Sequence, residues 1–259
     1  MASTSETGHA KNAANLNVII SRCTGYGPRY NPSNTDLTLP SLQNLYNNAF
    51  NSIEAINPLK QPFISAVNDR QSKFAAMEKL VTKVVNALDA SAGVSDAIVK
   101  DARSIIRKIR GARSKKKLVT NPTPPPGTGT GPIPVPTPIE DPATISVSQQ
   151  SFDQQYQHFS QFFALVSAQP SYTPNEPELQ IPTLNIIKND LNTANQNVVS
   201  ATTPYLQALA TRDNFLYTPV TGLVDTAYEV KKYVKSVPSI TSTEFKQISG
   251  LKFTRPKKS

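Results

Sequence analysis

The chain has no tryptophan, and it has one cysteine, two histidines and two methionines in 259 residues. A single thiol, Cys23, excludes an intramolecular disulfide. With only His9 and His158 beside it, a zinc site would have to draw on carboxylates; both histidines are expected at the surface, near the starts of the first helices of the two halves. Cys23 reads first as a small apolar side chain at the end of the first helix; a nucleophilic role is the minor alternative, since no histidine lies near it in sequence. Acidic residues are sparse. The closest pairs, Glu140-Asp141 and Glu176 with Glu178, sit in loops beside prolines and read as solvated charges rather than an acid/base pair. No apolar run approaches the ~18–20 residues of a membrane span. The opening "MASTSETGHAKN" lacks the basic start and apolar core of a secretory signal. The expectation is therefore a soluble cytoplasmic protein, with leaderless export as a route that would leave no mark. No alternating run carries hairpin turn chemistry, so strands are not expected. "GTGTG" lacks the following helix and lysine of a phosphate loop. No catalytic, cofactor-binding or metal-binding residue is assigned; a non-enzymatic protein without cofactor or small-molecule substrate is expected.

Proline, by contrast, is abundant, with 22 residues, and it clusters. "NPTPPPGTGTGPIPVPTPIEDP", Asn121 to Pro142, holds nine prolines and three glycines. Proline lacks the amide donor and clashes with the preceding turn, so this stretch excludes helix. It reads as an extended spacer around a flexible Gly-Thr hinge, or, less simply, as a docking peptide for proline-binding domains.

The flanking halves resemble each other. "YNPSNTDLTLPSLQNL" from Tyr30 returns as "YTPNEPELQIPTLNII" from Tyr172, 142 residues later. Pro62-Phe63, Ala66 and Arg70 match Pro204-Tyr205, Ala208 and Arg212 at the same spacing. After one inserted residue near Asp213, Phe74, Leu80-Val81 and Ile105 match Tyr217, Leu223-Val224 and Ile248. Leu16, Ile19, Ile20 and Cys23 match Phe159, Phe162, Phe163 and Val166. A tandem duplication of a unit of about 110 residues is the expectation.

Each half reads as all-helical. Phe63, Val67, Arg70, Phe74, Met77, Val81, Val84 and Leu88 are spaced 4-3-4-3-4-3-4, one face of a long helix. Pro62 fits its first turn, and Gly93 can end it. Leu42 to Ile56 mark a shorter helix before it, Leu16 to Cys23 a first, and Ile98 to Ile109 a last. In the second half Leu184 to Val198 mark the second helix, Thr203-Pro204 suit the start of a third, and the insertion and Pro219 predict a break near Tyr217 to Pro219. Thr241 and Glu244 form a capping-box pattern. The predicted architecture is all-α: two up-down bundles of about four helices, at 1–117 and 148–259, joined by a linker at 118–147.

"TSETGHAKN", "CTGYGPRYNPS" and the closing "SGLKFTRPKK" together resemble a bacterial family of tandemly duplicated all-helical proteins, mostly hypothetical ones. The resemblance spans both halves. It implies the duplicated helical layout with a variable linker, and no activity, substrate or cofactor.

Charge separates the halves. Through Thr120 there are 17 Lys and Arg against 8 Asp and Glu; from Asn121 onward there are 10 of each, so the whole excess of nine lies in the first half. Lys100, Arg103, Arg107 and Arg110 make a basic stripe on the last predicted helix of the first half, prolonged by Arg113, Lys115, Lys116 and Lys117. Cations there favour a helix C-terminus and a solvated face. They could instead meet a polyanion such as nucleic acid, although no interleaved aromatics accompany them. Tyr26, Tyr30 and Tyr172 lie in Pro-Asn-rich loops, either anchoring the loop on its own bundle or forming a recognition tip. The leading expectation is a structural or interaction protein of two related bundles that self-associates or bridges protein partners; the alternative is a nucleic-acid-associated protein using the basic stripe.

Overall fold

The structure, a computed structural model, describes residues 8–111 and 151–256. Those residues are all-helical, with no strand among them: α1 His9–Gly25, α2 Leu39–Glu54, α3 Asn57–Asp89, α4 Asp96–Ile109, α5 Phe152–Ser167, α6 Ile181–Tyr217, α7 Leu223–Ser236 and α8 Ser242–Ser249. The expected linker at 118–147 lies outside the described residues.

Local chemistry sets the ends. Ser151 caps α5 by accepting the Gln154 amide, and Thr241 with Glu244 completes the expected capping box on α8. The break predicted near Pro219 is present, since α6 stops at Tyr217 and α7 starts at Leu223. Its turn is tight. The Gly222 amide donates to the Thr218 carbonyl at 2.8 Å, and a Cβ on Gly222 would lie 2.6 Å from that same oxygen. Only glycine fits there.

Two predicted helix starts are displaced. α3 begins at Asn57, so Pro62 lies inside it. α6 runs unbroken for 37 residues through Pro204, where a new helix was expected to begin. A mid-helix proline removes one amide donor and crowds the carbonyl four residues back. In α6 the neighbouring threonines bond the helix backbone themselves: Thr202 donates to the Val198 carbonyl at 2.6 Å and Thr203 to that of Val199 at 3.1 Å. Buried side chains hold α6 on both sides of the proline, Leu184 and Leu191 before it and Leu216 after it.

The chain forms two compact units, and neither coincides with the expected bundles at 1–117 and 148–259. One comprises the chain up to Ala66 together with the chain from Val198 onward; the other is Val67–Asn197. In the first unit Leu16, Ile19, Cys23, Leu42 and Ala49 pack with Leu216, Leu223, Ala227, Val230 and Val234. In the second, Phe74, Met77, Val81, Val84 and Leu88 pack with Phe159, Phe162, Leu184 and Leu191. Each core thus joins the N-terminal helices of one half to the C-terminal helices of the other. The reason is the length of α3. Its fully buried side chains begin only at Phe74, five turns beyond its start. The apolar face that would have closed a bundle on α1 and α2 lies too far along the helix to reach them.

Local geometry nevertheless recurs at the repeat spacing. Single 3₁₀ turns occupy Thr35–Leu37 and Pro177–Leu179, and α2 and α6 start at Leu39 and Ile181, each pair 142 residues apart. After each turn a hydroxyl donates to its first carbonyl, Ser41 to Thr35 at 2.8 Å and Thr183 to Pro177 at 2.7 Å.

Because both cores need both halves, fragments 1–117 and 148–259 expressed separately will show no cooperative thermal transition by circular dichroism. Mixed at equal concentration, they will recover one. A cooperative melt of either fragment alone would contradict this division of the cores.

Candidate functional site

The loop tyrosines are anchors, and the recognition-tip expectation is overturned. Tyr30 and Tyr172 are 7% and 4% exposed, and each donates its hydroxyl to the carbonyl seven residues on, Leu37 at 2.6 Å and Leu179 at 2.8 Å. Tyr26 is buried too and donates to the Glu244 carbonyl at 3.1 Å. A phenol suits this use: the ring fills the core, and the one polar atom finds a backbone acceptor. Burial pushes the Tyr172 hydroxyl up to about 12 and the Tyr30 hydroxyl further still. It also pushes the Cys23 thiol up to about 12, which suits a packing role and leaves no thiolate near neutral pH.

The basic stripe is exposed along α4 at Lys100, Arg103, Arg107 and Arg110, but half of it is engaged. Arg103 pairs with Asp89 at 2.7 Å. Arg110 donates to the Glu78 carbonyl at 3.0 Å and to the Thr82 hydroxyl, both on α3. Lys100, Arg107 and the neighbouring Lys108 project to solvent. Arg113, Lys115, Lys116 and Lys117 lie outside the described residues.

The sequence reading missed a built-in backbone-recognition groove in the first unit. After α8 the chain continues without regular structure through Pro256, and side chains of α1 and α7 read its main chain. Asn15 donates to the Lys252 carbonyl at 2.8 Å. Asn12 donates to the Thr254 carbonyl at 2.7 Å and accepts from its amide at 3.0 Å. Tyr228 donates to the Phe253 carbonyl at 3.2 Å. The Lys231 ammonium donates to the Ser249 and Leu251 carbonyls and lies 5.1 Å from the centroid of Phe253. Burial lowers the pKa of Lys231. The available signal was two asparagines, spaced three apart, on the apolar face that also carries Leu16 and Ile19.

The histidines differ from expectation. His158 was read as a surface residue, yet it is buried beside Phe159, and neither ring nitrogen has a partner. By the repeat it stands where α1 has Asn15. α5 packs on α4, a helix, whereas α1 meets the irregular segment after α8, whose carbonyls accept from Asn12 and Asn15. His9 is half-buried, with Nδ1 2.8 Å from the Tyr217 hydroxyl. Burial, then the charge of Arg212, lowers its pKa.

Glu244 links α8 to the first loop. It receives two hydrogen bonds from Arg29, at 2.8 and 3.1 Å, and one from the Thr241 amide at 2.8 Å. These donors, Arg29 foremost, hold its carboxyl down to about 2.

A cleft of about 370 Å³ lies in the second unit, between α3 and the start of α6. Ala76, Met77, Leu80, Ile187 and Leu191 make an apolar floor, and Lys73, Lys79, Lys83, Glu178 and Asp190 surround it. Lys83 and Glu178 form an ion pair of 3.4 Å, both well exposed. The first unit carries a smaller cleft, about 200 Å³, lined by Asp36, Leu37, Leu45, Thr226 and others. Leu45 and Asp36 are 142 residues before Ile187 and Glu178, while Thr226 stands where the larger cleft has Lys83. The two clefts thus have lining residues at matching positions of the sequence pattern, and they differ in charge. Among the described residues no three His, Cys, Asp or Glu side chains converge as a metal site, and no helix is long and apolar enough to cross a membrane.

Replacing either Tyr30 or Tyr172 by phenylalanine will leave a buried carbonyl short of a donor and cost about 1–2 kcal/mol in urea unfolding, similarly at the two sites. Glu244 has a depressed pKa, so its contribution is full above the ordinary glutamate value near 4.5 and is lost as pH falls toward 2. The melting temperature will therefore drop less between pH 5 and pH 2.5 in Glu244→Gln than in the wild type. Set against known proteins, the chain matches no family model, no curated protein and no solved structure.

Proposed function

We infer that this is a non-enzymatic interaction protein, built by duplication of a helical module and carrying two diverged versions of one docking cleft. The observation that carries the inference is the pair of clefts at matching positions of the sequence pattern, one rimmed by three lysines and two carboxylates and the other by neutral and acidic groups. A chain that presents the same location twice with different charge is suited to bridging two partners. The apolar floor of the larger cleft fits side chains of a protein segment, and its lysines favour a segment with acidic flanks. Tyrosine anchoring of both entry loops supports the same view, because it holds the wall residues Asp36 and Glu178 on rigid turns.

A polyanion-binding alternative rests on Lys100, Arg107 and Lys108, which stay exposed and are not engaged as Arg103 and Arg110 are. Three or so phosphate contacts would give a shallow dependence on salt, with log K falling about 0.9 per contact for each tenfold rise in salt.

Affinity recovery from native lysate tests both. Ala76 is exposed and lines the cleft, so Ala76→Glu fills it without disturbing the core. Proteins recovered by the wild type and lost with Ala76→Glu, unaffected by nuclease, support the cleft. A recovered set that is unchanged by Ala76→Glu overturns it. Nuclease-sensitive recovery, with labelled DNA binding that weakens in Arg107→Glu, favours the alternative.

A further inference from the structure

Around Pro204, α6 carries a face that none of the described residues covers. Val199, Thr203, Leu206 and Ala210 are all exposed, Val199 to 66% and Leu206 to 55%. Their 4-3-4 spacing places them on one side of the helix in a heptad pattern. The face is apolar to an unusual degree. Thr203 turns its hydroxyl back onto the Val199 carbonyl at 3.1 Å, so that polar group is already engaged within the helix. From Val198 to Thr211 there is no Asp, Glu, Lys, Arg or His. An exposed helix face ordinarily carries charge, and depletion of charge is the mark of an interface core.

We propose that this face pairs with the same face of a second copy of the chain, antiparallel about a two-fold axis. Side-chain size favours self-pairing. In antiparallel register Val199 of one copy meets Ala210 of the other, and Leu206 meets Thr203. Large then opposes small at every level, and each contact occurs twice, as a closed isologous interface requires. Charge points the same way. A heterologous acidic or basic partner finds nothing on this face to read, while the net charge of +9 resides in the first half and leaves this segment neutral. A different side of α6 already packs in like fashion: Tyr205 stacks on its own repeat counterpart, Phe63, at 5.1 Å between centroids and 11° between planes. The inference rests on the interaction-protein view of the chain and names one of its partners, the chain itself.

A contact of one helix pair falls below the ~1,200 Å² of stable complexes, so the dimer is weak, with Kd on the order of 10–100 μM. Sedimentation velocity of the full chain from about 5 to 500 μM, at low and at 0.5 M salt, is the test. A reversible monomer–dimer equilibrium that 0.5 M salt does not weaken is expected. Val199→Glu and Leu206→Glu should each raise Kd more than tenfold with helicity unchanged, because both residues are exposed. Lys108→Glu and Ala76→Glu should leave Kd alone, which separates this contact from the basic helix and from the cleft. A monomer at every concentration, or a dimer that survives both glutamate variants, overturns the proposal, even if the cleft captures its partner.

Discussion

The architecture depends on two helices staying continuous across proline. α3 passes Pro62 and α6 passes Pro204, each forgoing a backbone bond at that point. Had either helix stopped there, the apolar stripe following it could have folded back on the helices of its own half. Because they persist, the buried part of α3 joins α4 and α5, and α1 and α2 find their partners in α7 and α8. The penalty for an internal proline, about 3 kcal/mol, is offset by burial on both sides of it. One large apolar side chain contributes about 1.5–3 kcal/mol, and α6 has Leu184 and Leu191 before the proline and Leu216 after it.

Within this frame the two halves differ in what their buried polar side chains bind. Asn12 and Asn15 on α1 meet the open backbone after α8, and Lys231 adds a buried cation whose donors go to two carbonyls. At the matching place on α5, His158 is buried with no hydrogen-bond partner. Arg110 and Arg255 each bond a main-chain carbonyl and a side chain, on α3 for the one and around the α6–α7 break for the other. The loops changed least, since a tyrosine hydroxyl fixes each turn through a backbone carbonyl that no substitution removes.

Element type was legible because periodicity reports which face of a helix is apolar. The heptad stripe from Phe74 to Leu88, the capping box at Thr241 and the break at Pro219 all follow from contacts within a few residues. The candidate site was less legible. Tyr26, Tyr30 and Tyr172 occur in polar, proline-rich company, and nothing in such a neighbourhood states whether a ring points in or out. Arg103 and Arg110 read as free charge because Asp89, Glu78 and Thr82 come from a different helix. His158 read as exposed because one polar residue among apolar ones says little about the partner helix.

Sequence alone determined that this chain is helical, where most of its helices lie, and that its two halves share a pattern. Those properties arise from i to i+4 backbone bonding, side-chain periodicity and turn residues, all local. Tertiary structure alone decided which stripes meet. Burial is non-directional, so one apolar face accepts any complementary face, and the choice fell to helix length at Pro62 and Pro204, where packing energy overrode the local preference to stop.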